Sequence, residues 1–348
     1  MLHGKHISKE KTARKRRKRI AKAAAICVAG ACCLALVAVG VLAAFTAMGK
    51  GNLLREFAIG SPEGVATSDG GKTVAFEGKK YSQKAGMTSI LLLGHDGRQD
   101  EHLNGQTDFV MVVAIDTETG EISLISIPRD TMVSVRRTLD KSDEYYDTQE
   151  LQIAAAFAYG SDFDHSAQNV CDAVSSIMYN IPMNYYYVLD VNGVGALADA
   201  VGGVQLESME DVPKTDMKKG EWLDLEGDAA RLYVTERDTN VLGSAFTRLD
   251  RQRQFVDAYL EKLMEVSKSN PGVLMATYDA LASYSTTNLG PAEFSYLASV
   301  FLDHGIDDLQ TYSLGGEYVH NDETGYAEYH ADPQSMYDIV LDVYYEPA

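Results

Sequence analysis

The sequence predicts a layered α/β domain, an α-β-α sandwich around a mixed, largely antiparallel-containing central sheet, preceded by one N-terminal transmembrane helix. Three observations predict it. Ile90–Leu93, Phe109–Ile115 and Ile122–Ile127 are short apolar runs rich in Val, Ile and Leu, parted by polar, turn-rich pieces; each reads as a strand. Beyond them, helix-like and strand-like patterns alternate to the end of the chain. Before them, Ala23–Met48 runs 26 residues without a charge.

A helix of that length covers about 39 Å, more than the roughly 30 Å of bilayer hydrocarbon. Residues 1–22 carry ten Lys or Arg against Glu10 alone, leaving 21 basic and 49 acidic residues beyond, a net of −28 within an overall −19. The basic cluster should stay in the cytoplasm and the acidic bulk lie outside. A cleaved signal peptide fits less well, since the apolar run is long and no A-x-A site follows it. So acidic a domain repels a polyphosphate backbone, which argues against a nucleic-acid partner. The expected organisation is a basic tail over 1–22, a signal-anchor helix over 23–48, a stalk over 49–86 and one extracytoplasmic domain over 87–348. Cys27, Cys32 and Cys33 fall in the apolar run, so Cys171 has no partner for a disulfide in the outer domain and reads as a buried thiol.

Thr117–Gly120 is short enough to join the second and third strands as an antiparallel hairpin. Residues 136–150 read as a charged loop, followed by helices over Leu151–Tyr159 and His165–Tyr179. Tyr185–Val191 reads as a strand, Val194–Val201 as a helix and Val204–Leu206 as a short strand. Helices follow over Glu226–Glu236, Asp250–Ser267 and Pro271–Leu281. Thr286-Thr287-Asn288 can cap a further helix over Pro291–Leu302. Leu309–Leu314 is a strand, 315–332 a polar loop and Pro333–Tyr344 a last amphipathic helix.

If the first three strands are antiparallel neighbours, Asp96 and Arg98 after strand one, Asp108 at the start of strand two, and Arg129 and Asp130 after strand three share one sheet end. Acids and arginines gathered beside Gly94, Gly97 and Gly105 suit a divalent cation and an anionic substrate. Pro128 fixes the backbone just past the third strand, so Arg129 leaves the sheet in a set direction. The eight histidines show no H-x-x-x-H or H-E-x-x-H spacing, and no P-loop, Rossmann or G-x-S-x-G motif occurs.

GHDGR, QTD and SIPRD, followed by IPMNYYYVLDVNGVGALADAVGGV, LEGDAARLYVTER and RLDRQRQ, resemble the ordered blocks of the LytR-CpsA-Psr family from Met87 to Tyr345. The resemblance implies a membrane-anchored phosphotransferase. It would move a glycopolymer phosphate (a teichoic acid or capsular polysaccharide) from a polyprenyl-diphosphate carrier to a peptidoglycan hydroxyl. A polyprenyl-diphosphate hydrolase and a non-catalytic envelope-binding or regulatory protein are the alternatives. The resemblance places Asp96 and Asp108 at a Mg²⁺ ion, or Mn²⁺ in its place. It makes Arg129 and Arg237 catalytic with those acids, and Arg98, Arg129, Arg237, Arg248 and Arg251 the diphosphate clamp. Thr235 stands where the family has the first arginine of Y-x-R-x-R. The lipid tail needs an apolar groove, for which the helices His165–Tyr179 and Asp250–Ser267 are the expected walls.

Overall fold

The computed structural model describes residues 43–348 except 55–56, 64, 99–102, 140, 143, 239–240, 242–243 and 306–308. Most of the expected membrane span, residues 23–42, lies outside the described residues. Residues 43–53 are helical, and no helix among the described residues is long and apolar enough to cross a membrane. The described residues divide into two compact units: 43–52 with Pro291–Tyr296, and 53–290 with 297–348. In the first, Asn52 Nδ2 donates to Glu293 Oε1 at 2.6 Å. The second holds the sheet and every candidate site residue.

From residue 66 onward the strands and helices run in this order: β1 Ala66–Ser68, β2 Thr73–Phe76, β3 Lys79–Gln83, β4 Met87–His95, β5 Thr107–Asp116, β6 Ile122–Ile127, β7 Met132–Thr138, β8 Tyr145–Gln152, α1 Ile153–Ala156, α2 Phe163–Ile177 and β9 Tyr185–Asp190. Then come α3 Val194–Ala200, β10 Val204–Glu207, β11 Trp222–Leu225, α4 Gly227–Thr235, α5 Ser244–Ser269, α6 Val273–Leu281 and β12 Ser285–Thr287. The chain closes with α7 Pro291–His304, β13 Leu309–Ser313, β14 Gly316–His320, β15 Ala327–Ala331, α8 Pro333–Tyr344 and β16 Tyr345–Pro347.

The central sheet has six strands in the order β12-β9-β4-β5-β6-β13. The pairs β12–β9, β4–β5 and β5–β6 are antiparallel, and β9–β4 and β6–β13 parallel. The mixed sheet and the β5–β6 hairpin are as the sequence predicts. Side chains alternate between the faces. Leu91, Leu93, Val110, Val112, Ile125 and Ile127 pack with Val170, Cys171 and Val174 of α2 and Tyr337 and Val340 of α8. Each such Leu, Ile or Val contributes about 1.5–3 kcal/mol by leaving water. On the opposite face Met111, Ile122 and Leu124 form a smaller buried cluster and Ile90 is buried as well; Leu92, Phe109, Val113 and Leu309 of the sheet and Val256 and Leu260 of α5 pack there partly covered.

Four local expectations change. Residues 136–150 are not a charged loop but most of the hairpin β7–β8, and 315–332 hold the hairpin β14–β15. Their strands β8 and β14 are largely solvated and carry little apolar alternation, whereas β7 alternates and sends Val133 and Val135 into the core. Asn288 does not cap α7, whose N-cap is Gly290; its side chain accepts from Tyr186 N at 3.0 Å and ties the edge strand to β9. Residues 66–83, expected in a stalk, form β1–β3, and β3 pairs with the C-terminal β16.

Candidate functional site

The register places the chemistry. His95 lies opposite Asp190 in the parallel β4–β9 pair and opposite Thr107 in the antiparallel β4–β5 pair. Asp190, His95 and Thr107 therefore form a row across one sheet end, with Asp96 one residue beyond it and Asp108 one residue inside, at the irregularity between Gly94 and His95. At the same end β6 finishes at Ile127 and Pro128 turns the chain. Thr131 N and Oγ1 both donate to Pro128 O, at 3.0 and 2.6 Å, and Ala154 N donates to Arg129 O at 3.1 Å. Arg129 is thus held at both flanks before its side chain makes a contact.

Asp108 is gripped from two sides: Arg129 Nη1 donates to its Oδ1, and Arg248 Nη1 to its Oδ2 at 2.8 Å. Arg129 also reaches Gln106 Oε1 at 2.8 Å and lies 3.3 Å from Asp130 Oδ1. Burial lowers the pKa of Arg129, the Asp130 carboxylate opposes that, and repulsion from Arg248 and Arg237 adds to it. Arg237 and Arg248 are lowered for the same leading reason. Arg129 and Arg248 are thus held mostly out of water, with the partly buried Arg237 beside them. Among the described residues, Nε and Nη2 of Arg248 are buried and make no hydrogen bond. A buried donor left unmade costs about 1–3 kcal/mol, so these two are poised for an acceptor that comes with a ligand.

Asp96 sits beside this cluster. Its Oδ1 accepts from Arg98 N at 3.0 Å and from Gln106 N at 3.5 Å, and its Oδ2 from Arg98 Nε at 2.9 Å. The Asp96 side chain is 7% exposed and that of Arg98 75%, so the covering guanidinium is free to swing away. The loop needs Gly105, at φ +83°: a Cβ there would lie 2.0 Å from Arg98 O and 2.9 Å from Asp96 Oδ1.

The structure brings Asp108, Arg129, Arg237 and Arg248 together, with Asp96 and Arg98 alongside. Arg251 stands apart from the expected clamp. It is fully buried, donates Nε to Glu210 Oε1 at 2.7 Å, and gives Nη1 and Nη2 to the carbonyls of Tyr233 and Glu236 at the end of α4. Its guanidinium satisfies the helix terminus and has no fork left for a phosphate. Thr235, at the position of the missing arginine, donates Oγ1 to Arg231 O at 2.8 Å.

Two further participants complete the set, and of these only Tyr318 escapes a reading of the sequence. Asp130, only 7% exposed, accepts from Gln152 Nε2 at 3.0 Å and from Tyr318 Oη at 3.3 Å. Tyr318, on β14, packs edge-on against Phe246 of α5, with 4.1 Å between ring centroids. Burial and the Asp130 carboxylate raise the Tyr318 phenol well above its ordinary pKa, so it stays a neutral donor. Asp130 adjoins Arg129 in SIPRD, which is the signal for it; nothing local marks Tyr318.

Whether this set fits Mg²⁺ follows from its donors. Asp96 and Asp108 supply hard carboxylate oxygens on neighbouring strand ends. Among the described residues no group of three or more His, Cys, Asp or Glu could hold a metal ion. The pair therefore suits an ion that keeps waters and shares substrate phosphate oxygens, the habit of Mg²⁺, rather than a closed protein cage.

An arginine cluster braced by acids at one end of a mixed α/β sheet has the make-up of an anion site. The comparisons agree on the class. The LytR_cpsA_psr family model matches residues 61–340, and the chain belongs to that family. It is 32% identical over 183 residues to the polyisoprenyl-teichoic acid–peptidoglycan teichoic acid transferase TagU of Halalkalibacterium halodurans, covering 51% of this chain and 54% of that protein. TagU of Bacillus anthracis is 32% identical over 187 residues, 53% and 55% of the two chains. The chain spans about half the length of the curated relatives it matches. B. subtilis TagV shares the fold at TM-score 0.61 and 22% identity, over 75% of this chain and 96% of that one. TagT bound to LI-WTA does so at 0.56 and 18%, over 80% and 97%.

Proposed function

We propose that this protein transfers a glycopolymer phosphate, of the teichoic-acid type, from a polyprenyl-diphosphate carrier to a hydroxyl of peptidoglycan. The observation that carries the proposal is the layout of α5. Arg248 holds Asp108 with one nitrogen and, among the described residues, keeps two buried donors without a partner, and Val256 and Leu260 pack, partly covered, on the apolar cluster of Met111, Ile122 and Leu124. Eight and twelve residues of helix amount to about 12 and 18 Å. One helix thus offers a diphosphate clamp and then an apolar track. The names of the TagU relatives supply the polymer and the acceptor.

Charge bookkeeping supports a diphosphate. Arg98, Arg129, Arg237 and Arg248 face Asp96, Asp108 and Asp130, four positive charges against three negative. A diphosphate diester brings about two negative charges, which a divalent ion returns to near balance. Asp108 and one oxygen of Asp96 would hold that Mg²⁺, which when bound neutralises phosphate charge. Phosphoryl transfer needs positioning and charge neutralisation above all, and Arg129, Arg237 and Arg248 provide both. The acceptor oxygen bonds to the sugar-linked phosphorus. The bond from that phosphorus to the bridging oxygen breaks, and polyprenyl phosphate leaves with the electron pair. The acceptor proton passes to Asp96, whose second oxygen is uncovered when Arg98 swings out.

We further infer that residues 23–48 anchor the protein, from the charge-free run and the basic cluster ahead of it. Protease added to intact protoplasts then digests the chain beyond Lys50; protection of that region would reverse the topology. The test of the activity is full-length protein in detergent, with a polyprenyl-diphosphate-linked sugar and soluble peptidoglycan. Release of polyprenyl phosphate that depends on acceptor and stops with chelator supports the transferase. Release without acceptor indicates a hydrolase, and affinity without turnover a binding protein.

A further inference from the structure

We infer that the cavity between β9, β12 and the loop after β4 is the acceptor subsite, built to hold one neutral, hydroxyl-rich sugar ring of the glycan. This rests on the transferase reading and adds the place of its second substrate. The cavity has a volume of about 280 Å³ and is lined by His95, Phe163, Asp190, Asn192, Tyr284 and Thr286 among others. That is just below the roughly 300–1,000 Å³ of sites for drug-sized ligands, the size for one ring rather than a chain.

Its chemistry excludes the donor's phosphates and suits hydroxyls. Among the described residues no Lys or Arg lines it, and Asp190 contributes a carboxylate. Asp190 Oδ1 accepts from Asn192 N at 2.8 Å and from Asn192 Nδ2 at 2.7 Å, which fixes the amide beside the acid. Oδ2 of Asp190 lies 3.9 Å from His95 Nδ1, and Thr286 brings a hydroxyl to the lining. A carboxylate oxygen, an amide and a hydroxyl on one wall match adjacent hydroxyls of a sugar, and charge-assisted hydrogen bonds of this type are the stronger ones. Phe163 and Tyr284 supply apolar faces for the ring.

The floor is rigid. His95 is buried, its Nδ1 accepts from Gly97 N at 3.1 Å, and its Nε2 meets Asn104 O at 2.7 Å. Asn104 in turn donates to Gly160 O at 2.9 Å and Ser166 Oγ at 2.9 Å. This chain ties the Asp96 loop and the cavity wall to α2.

Position completes the argument. Asp190, His95 and Thr107 are one register row, and two strand spacings, about 10 Å, separate Asp190 from the strand of Asp108. A ring seated on Asp190 and Asn192 therefore presents a hydroxyl toward Asp96, between the cavity and the arginine cluster.

The experiment uses full-length protein in detergent and a soluble amino-sugar disaccharide from digested peptidoglycan, without its peptides. Binding is measured by calorimetry in wild type, Asn192→Ala and Thr286→Phe, the last filling the cavity from its edge strand. Acceptor and lipid-donor KM are measured alongside, with thermal melting to confirm folding. Loss of one or two hydrogen bonds predicts about tenfold weaker disaccharide binding in Asn192→Ala and more in Thr286→Phe. Acceptor KM rises in parallel and donor KM stays within about twofold. Wild type that does not bind the disaccharide, or folded variants that bind it as wild type does, would overturn the subsite. Wild type that binds it but never turns over the donor would instead sink the transferase reading and leave the subsite standing.

Discussion

Arg248→Met separates a functional arginine from a structural one. The substitution removes a charge that is 5% exposed, keeps an apolar stem of similar length and ends the repulsion between Arg248 and its neighbours Arg129 and Arg237. It costs the hydrogen bond to Asp108 at 2.8 Å, about 1.5–3 kcal/mol for a charged pair, but Asp108 keeps Arg129. Against that, two buried donors without partners disappear, a relief of about 1–3 kcal/mol each. The terms cancel to within about 2 kcal/mol, with relief of repulsion favouring the variant. The protein without lipid should melt within about 5 °C of wild type, or above it. Diphosphate binding should fall much further. Two charge-assisted hydrogen bonds at about 1.5–3 kcal/mol each amount to roughly 10²- to 10⁴-fold. Differential scanning calorimetry and binding of a short-chain polyprenyl diphosphate measure the two effects. A large drop in melting temperature with binding intact would refute the reasoning and make Arg248 a structural residue.

Arg251→Met should do the reverse. It strips Glu210 and the carbonyls of Tyr233 and Glu236 of their donor at once, at about 3–5 kcal/mol in denaturant unfolding. Gly105→Ala places a Cβ 2.0 Å from Arg98 O at φ +83°, so turnover should collapse while the α2 side of the core stays protected in hydrogen exchange. Asp162 caps α2 through His165 N at 2.8 Å, and that bond lowers its pKa below 3.8. A depressed carboxylate stabilises above its unfolded pKa and loses this as pH falls through the folded value. Asp162→Ala should therefore cost about 1 kcal/mol at pH 7, and the gap to wild type should shrink in unfolding curves below pH 3.8.

What the sequence revealed follows the physics of each segment. The strands from Met87 to Ile127 are legible because both sheet faces bury apolar side chains, and the short Thr117–Gly120 link forces the hairpin. Pro333–Tyr344 is legible through Asp332 at its N-cap, Pro333 at its first position and an apolar stripe. The hairpins β7–β8 and β14–β15 are not, since in each one strand, Tyr145–Gln152 of β8 and Gly316–His320 of β14, is largely solvated and polar. The arginines show the limit of spacing. Arg248 and Arg251, three apart, share a helix face in principle, yet one opens into the cluster and the other is consumed by the end of α4. Only the packing of α5 against α4 decides that. Tyr318 joins Asp130 across 188 residues of chain, a contact no local pattern announces.

The central claim is that one helix joins a diphosphate clamp to an apolar track, and native mass spectrometry tests it most directly. Full-length protein released from bacterial membranes in mild detergent, with Mg²⁺ present, should carry a polyprenyl phosphate or diphosphate. Arg248→Met should lose that lipid while melting like wild type. A wild-type protein that neither carries nor accepts such a lipid would contradict the account, as would a folded Arg248→Met that retains it.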